Sequence, residues 1–216
     1  SSRWWRRNIN KRAVATSRHE SITLIDIDKT MLRLSNSHPL FMEMNHQSLM
    51  DKRVTVIRDD AFSYLNGHEE KYDAIFMDFT FPFSFDVARL YSVEFLSIVA
   101  NTLKEEGIFI HSTPFPQTMS DDVNIDYYDL LISSTYGTAG LKNLLMYSDP
   151  QNSFILASKN GKKWTENYND LGLDFKTNTK LVFTEKVYRY LPKTIMPDKV
   201  NSLFKPLFMG IRDHNF

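Results

Sequence analysis

Apolar residues in this chain alternate between short unbroken runs and stretches where they fall on one helical face. Ser21 to Ile27 is apolar and β-branched, of strand length, and reads as a buried strand ending in acids. Lys29 to Ser35 favours helix and is broken at His38-Pro39. Val54 to Arg58 gives a second strand, and AFSYLNG a short helix stopped by Gly67. Ala74 to Met77 gives a third strand. Val93 to Leu103 then places apolar residues at 95, 96, 98, 99 and 103, one face of a helix. EEGIFIHST supplies a turn and a fourth strand, near Ile108 to His111. A helix follows around Asp126 to Ser134, then strands near Leu144 to Tyr147 and Phe154 to Ala157, an antiparallel hairpin joined by DPQN. From Trp164 the pattern loosens into a polar linker and a short helical tail, FTEKVYRYLP and PDKVNSLF. Continuous apolar strands with helical crossovers predict a mainly parallel sheet covered on both faces.

Composition narrows the function classes. At 216 residues the chain can hold one domain with a substantial core. Its 26 basic and 26 acidic residues cancel, so no global field points to nucleic acid or an acidic surface. Without cysteine there are no disulfides, thiolate nucleophiles or cysteine metal sites, which fits a reducing compartment. The six histidines are scattered with no pair at metal-ligand spacing, and surface or capping roles are expected for each. No apolar run approaches the roughly 20 residues of a membrane span. Arg3, Arg6 and Arg7 are not followed by the apolar stretch of a signal peptide.

In open α/β sheets, ligands bind beyond the carboxyl ends of the strands. Here those ends carry Asp26 and Asp28, Asp59 and Asp60, Asp78 with its loop, and His111 to Thr113. An acid after the second strand of such a fold suits a ribose diol, and one after the third an exocyclic amine. Any one of these aspartates can equally be a helix cap. Their recurrence at βαβ intervals favours a site.

ITLIDID, RVTVIRDDAF, KYDAIFMDFTFP and ARLYSVEFLSIVANTLKEEGIFIHST, in that order and spacing, resemble the catalytic domain of the spermidine synthase (polyamine aminopropyltransferase) family. HPLFMEMN and SLMDKRVTV belong to the same pattern, SFILASKN resembles the last core strand, and KVNSLFKPLF resembles the end of a bacterial branch often fused to a membrane-spanning N-terminal half. The resemblance implies a Rossmann-like, methyltransferase-type sheet with a C-terminal antiparallel hairpin and a short helical tail. Residues 20–160 would form the nucleoside-binding catalytic domain and residues 161–216 the linker and tail. It implies transfer of the aminopropyl group of decarboxylated S-adenosylmethionine, a co-substrate, to an amine such as putrescine, with no metal and no separate cofactor. On this match Asp78 is the general base, Asp26 meets the ribose, and Asp60 with Ala61 meets the adenine. Tyr91 and Phe81 stand in the amine pocket. An alkylamine has a reference pKa near ~10.4, so freeing it at neutral pH costs roughly 4 kcal/mol, which a positioned carboxylate can supply. Amine and nucleoside are then the small-molecule partners, without nucleic acid, and the resemblance leaves room for a homodimer. The expected compartment is cytoplasmic, with the soluble half of a membrane-anchored parent as the alternative. A methyltransferase using S-adenosylmethionine, or a non-catalytic remnant of the fold, are the competing readings.

Two departures stand out. Phe81 occupies the place of the second acid in the family's Asp-x-x-Asp-Pro motif, which removes a charge-assisted contact of roughly 1.5–3 kcal/mol. Where the family has a glycine-rich loop, GGGDG, this chain reads RWWRR, with no glycine before Gly67. Tryptophan is encoded only by TGG, so Trp4 and Trp5 read one base later as two glycines. Codons exist for residues 3–19 whose shifted frame reads GGGDGTLTRELLRLPDM, at the family's spacing from ESITLIDID. Residues 1–19 are therefore expected to be a frame-shifted segment replacing the loop and first helix.

Overall fold

The computed structural model describes residues 20–79, 82, 84–113, 125–148, 153–160 and 187–207. The chain divides into two compact units, Ser1–His68 and Glu69–Phe216. Residues 1–19, expected to be frame-shifted, lie outside the described residues.

The first unit runs β1 (Ile22–Ile25), α1 (Lys29–Ser37), α2 (Pro39–Met44), a 3-10 turn (Ser48–Met50), β2 (Val54–Ile57) and α3 (Ala61–Leu65). β1 and β2 pair in parallel, from Ile22 opposite Val54 to Ile25 opposite Ile57. Asp28 starts α1 by accepting from the N–H groups of Thr30 and Met31, both at 3.0 Å. The helix stops at His38, whose backbone is extended as its place before proline requires, and Pro39 opens α2. Asp51 accepts from the backbone N–H, Nε and Nη2 of Arg53 at 2.9, 3.0 and 2.8 Å, fixing the entry to β2. That guanidinium holds the Asp51 carboxyl down at about 2. α3 ends at Leu65 with Asn66 as its cap, just before the expected stop at Gly67.

The β1 run, expected to be buried, is half-buried throughout, and β2 exposes Thr55 and Val56. A two-stranded ladder has few neighbours to cover it, and α1 buries no residue fully.

The second unit runs β3 (Tyr72–Asp78), α4 (Phe85–Ala88), a 3-10 turn (Arg89–Tyr91), α5 (Val93–Thr102), β4 (Leu103–Thr113), α6 (Ile125–Thr138), β5 (Lys142–Ser148), β6 (Ser153–Ser158), β7 (Val187–Tyr190) and a 3-10 turn (Pro197–Lys199). Its sheet has the order β3-β4-β6-β5-β7. β3 and β4 are parallel; β4–β6, β6–β5 and β5–β7 are antiparallel. The fold is thus α/β and Rossmann-like, with the predicted β5–β6 hairpin. The four strands expected to run parallel are seen as two parallel pairs, one in each unit.

The turn expected at EEG falls inside β4. Tyr72 faces Leu103 but Ala74 faces Ile108, so the intervening residues bulge from the ladder. Gly107 permits this, since a Cβ there would sit 2.9 Å from the Lys104 carbonyl oxygen. FTEKVYRYLP, expected to be helical, instead contains β7, with Tyr188 opposite Tyr147 and Tyr190 opposite Leu145. Valine and tyrosine in alternation outweigh the helix-favouring Lys186 and Arg189 once a strand edge is offered.

The core lies in this unit. Ser92 caps α5 by accepting from the Phe95 N–H at 3.3 Å. Phe95, Leu96 and Val99 are fully buried, each contributing about 1.5–3 kcal/mol. α5 and α6 pack on one another, α5 against β4 and α6 against β5. No helix among the described residues is long and apolar enough to cross a membrane.

Candidate functional site

In the first unit Asp26 follows the carboxyl end of β1, and Asp59 and Asp60 follow that of β2. The Asp26 N–H donates to the Ile57 carbonyl at 3.2 Å, so Asp26 continues the ladder for one residue. Its Oδ1 accepts from the Asp28 N–H at 2.8 Å and shapes the turn into α1. Asp60 caps α3, its Oδ1 accepting from the Ser63 N–H at 3.0 Å and Ser63 Oγ at 3.3 Å. The Asp60 N–H in turn donates to Asp59 Oδ1 at 2.8 Å. Ala61, half-buried, is the first residue of α3. Capping therefore describes Asp28 and one oxygen of Asp60.

The cavity of about 340 Å³ between α1 and β2 is a different place. Its walls are Leu32, Leu49 and Val56, and its polar rim is Lys29, Arg33 and Arg58, without either acid. Three cations suit neither an ammonium nor a ribose diol held by carboxylate.

In the second unit Asp78 is the last residue of β3, opposite Ser112 of β4, half-buried with its Oδ2 enclosed. The next residue, Phe79, turns into an aromatic group. Its ring centroid is 6.4 Å from Tyr91, 6.3 Å from Phe95 and 6.2 Å from His111. Tyr91 is 3% exposed and lies 4.8 Å from the His111 ring. Phe81 lies outside the described residues. Asp26, Asp60 and Ala61 thus lie in the first unit, after the ends of its two parallel strands, and Asp78 and Tyr91 lie in the second.

His111 corrects an expectation. A surface or capping role was expected, yet the ring is fully buried, between Phe109 at 5.8 Å and the stacked Tyr136 at 6.1 Å. Burial pushes its pKa down to about 3, so the imidazole is neutral. Nδ1 is hydrogen-bonded to the Tyr136 hydroxyl, whose own pKa burial raises well above its usual value. Nε2 is enclosed and has no hydrogen-bond partner among the described residues. The signal was present in the sequence: Phe109 and His111 share one face of β4, and Phe109 is plainly core. Asn201, also fully buried, carried no such signal.

Residues 8–128 match the spermine/spermidine synthase domain. Polyamine aminopropyltransferase 2 of Aquifex aeolicus is 38% identical over 89 residues, 41% of this chain and 18% of that protein. Polyamine aminopropyltransferase 2 of Bacillus cereus is 28% identical over 193 residues, 89% of this chain and 47% of that protein. The chain therefore spans less than half the length of either relative. A crystal structure of spermidine synthase in complex with the transition-state analogue AdoDATO superposes with a TM-score of 0.55 at 17% identity, over 68% of this chain and 49% of that one. At that identity the likeness concerns the fold.

Proposed function

The chain belongs to the spermine/spermidine synthase family, and from that premise we propose that it transfers the aminopropyl group of decarboxylated S-adenosylmethionine to an amine such as putrescine. The amine nitrogen attacks the methylene beside the sulfonium. A C–N bond forms, the C–S bond breaks with its electron pair going to sulfur, and methylthioadenosine leaves. Asp78 takes the proton lost by the amine. Asp26 receives the ribose hydroxyls, Asp60 and Ala61 the adenine, and Tyr91 and Phe81 border the amine. The observation that carries this reading is Asp78 itself. It is a carboxylate at the carboxyl end of a parallel strand, with one oxygen enclosed and an aromatic group beginning at the next residue. A carboxylate so placed can take a proton from an amine bound beside it. A cytoplasmic location, a homodimer and the absence of a nucleic-acid partner go with this reading as proposals.

Incubation of the chain bearing the glycine-rich sequence in place of residues 3–19 with decarboxylated S-adenosylmethionine and putrescine is expected to yield methylthioadenosine. A methylated product from S-adenosylmethionine would point instead to a methyltransferase, and absence of nucleoside binding to a remnant. Several amines belong in the test, because Phe81 favours an acceptor with less charge than putrescine.

The opening segment is tested separately. We expect the gene, read one base later across residues 3–19, to encode the glycine-rich loop. The chain carrying GGGDGTLTRELLRLPDM there should bind the nucleoside clearly more tightly than the chain with RWWRR. Backbone N–H groups of a glycine loop approach a ligand as arginine and tryptophan cannot. Equal affinities would sink the idea.

A further inference from the structure

The described C-terminal segment, residues 191–207, reaches back to the turn that carries Tyr91, and Asn201 makes the junction. Asn201 is fully buried and fastened on three sides. Its backbone N–H donates to Thr135 Oγ1 of α6 at 3.0 Å. Its carbonyl accepts from the Val93 N–H at 2.8 Å, one of the donors a helix start leaves without an intrahelical partner. Its Nδ2 donates to the Tyr91 carbonyl at 2.9 Å. The short stretch from Tyr91 to Val93 is thus gripped at both ends by one residue far along the chain.

What that stretch positions is the Tyr91 ring. Tyr91 closes a 3-10 turn of three residues, and Ser92 is already the cap of α5. A shift of the Tyr91 backbone must therefore swing its ring relative to His111 at 4.8 Å and Phe79 at 6.4 Å, and Phe79 follows Asp78 directly. We infer that Asn201 is a positioning residue for the amine side of the site, holding Tyr91 in the aromatic group that adjoins Asp78. The inference rests on the roles proposed above for Tyr91 and Asp78. It makes Asn201, through its bond to the Tyr91 carbonyl, a determinant of which amine is accepted, with no effect on the nucleoside.

The test uses the full chain bearing the glycine-rich sequence at residues 3–19, Asn201→Ala in it, and Glu94→Ala as control. Glu94 Oε2 accepts from the Leu203 N–H at 3.1 Å, so its removal releases the same segment two residues further on and leaves the Asn201–Tyr91 hydrogen bond in place. KM for putrescine and for decarboxylated S-adenosylmethionine are measured beside the NMR resonances of the Tyr91 and His111 rings. In Asn201→Ala, KM for putrescine is expected to rise about five- to tenfold, the fold-change one lost hydrogen bond carries. KM for the nucleoside stays put, both ring resonances move, and Glu94→Ala matches the chain without either substitution. Equal changes in both KM values, no change in either, or the same changes in Glu94→Ala overturn the inference. If the chain bearing the glycine-rich sequence, without either substitution, transfers nothing to any amine, it is the aminopropyl reading that fails. The ring resonances then decide the positioning by themselves: shifted in Asn201→Ala alone they sustain it, and unshifted they overturn it. Should Asn201→Ala not fold, Asn201→Ser leaves a small polar group in place and carries the same comparison.

Discussion

Turnover falls by roughly 10²–10⁴ in Asp78→Asn while nucleoside binding persists, the usual contribution of a positioned base. Asparagine keeps the shape at the end of β3 and one acceptor oxygen, but it cannot take a proton from an alkylammonium. Asp26 and Asp60, assigned to the nucleoside, are untouched by the change. The measurement is methylthioadenosine release at saturating amine, with nucleoside affinity taken in parallel, in the chain bearing the glycine-rich sequence at residues 3–19. A fall of only a few-fold would remove Asp78 from the role of base. Loss of nucleoside affinity along with turnover would mean that Asp78 holds the nucleoside as well.

The second large effect is on stability. His111 binds a proton near 6.5 when exposed in the unfolded chain but only near 3 when buried. Between those values the unfolded state holds the extra proton, so acid favours unfolding. The contribution is fully present above about pH 6.5 and is lost as pH falls towards 3. The slope of a single such group is about 1.4 kcal/mol per pH unit. Between pH 7.5 and pH 5 the chain should therefore lose about 2 kcal/mol more than His111→Gln, which has nothing to titrate there. Urea unfolding of both proteins at the two pH values reads this difference. Parallel pH dependences would show that the imidazole charges within the fold.

Much of the architecture was legible because it rests on burial. Phe95, Leu96 and Val99 recur at helical spacing and do line the core, and the apolar run Phe154 to Ala157 forms a strand with Ile155 and Ala157 buried. The strand-end acids were legible for a related reason, since a polar residue after an apolar run must emerge at a sheet edge. What escaped depends on partners distant in sequence. Val187–Tyr190 becomes a strand only because β5 offers it an edge, and nothing near residue 187 announces that. The bulge in β4 follows from register against Tyr72 and Ala74, which no local pattern encodes. Asn201 looks like any polar residue in a tail; its bonds to Tyr91, Val93 and Thr135 belong to the folded chain alone. His111 was misjudged because histidine is usually exposed, while the neighbouring Phe109 on its face was the better witness.

The thin burial of the first unit bears on how the nucleoside is held. Leu65 is its one apolar side chain below a tenth exposed among the described residues, while Ile27, Leu40 and Met50 are more than half exposed. Segments with few buried apolar neighbours open at a lower free energy than the rest of a protein. Asp26 and Asp60 are carried by such a segment. If only its closed form receives the nucleoside, apparent affinity is the intrinsic affinity scaled by the closed fraction. Ligand and local folding then stabilise each other, as mass action requires. Substitutions that tighten β1 against β2 would strengthen nucleoside binding without touching a carboxylate, whereas the amine side, set in the dense core around Phe95, would stand indifferent to them.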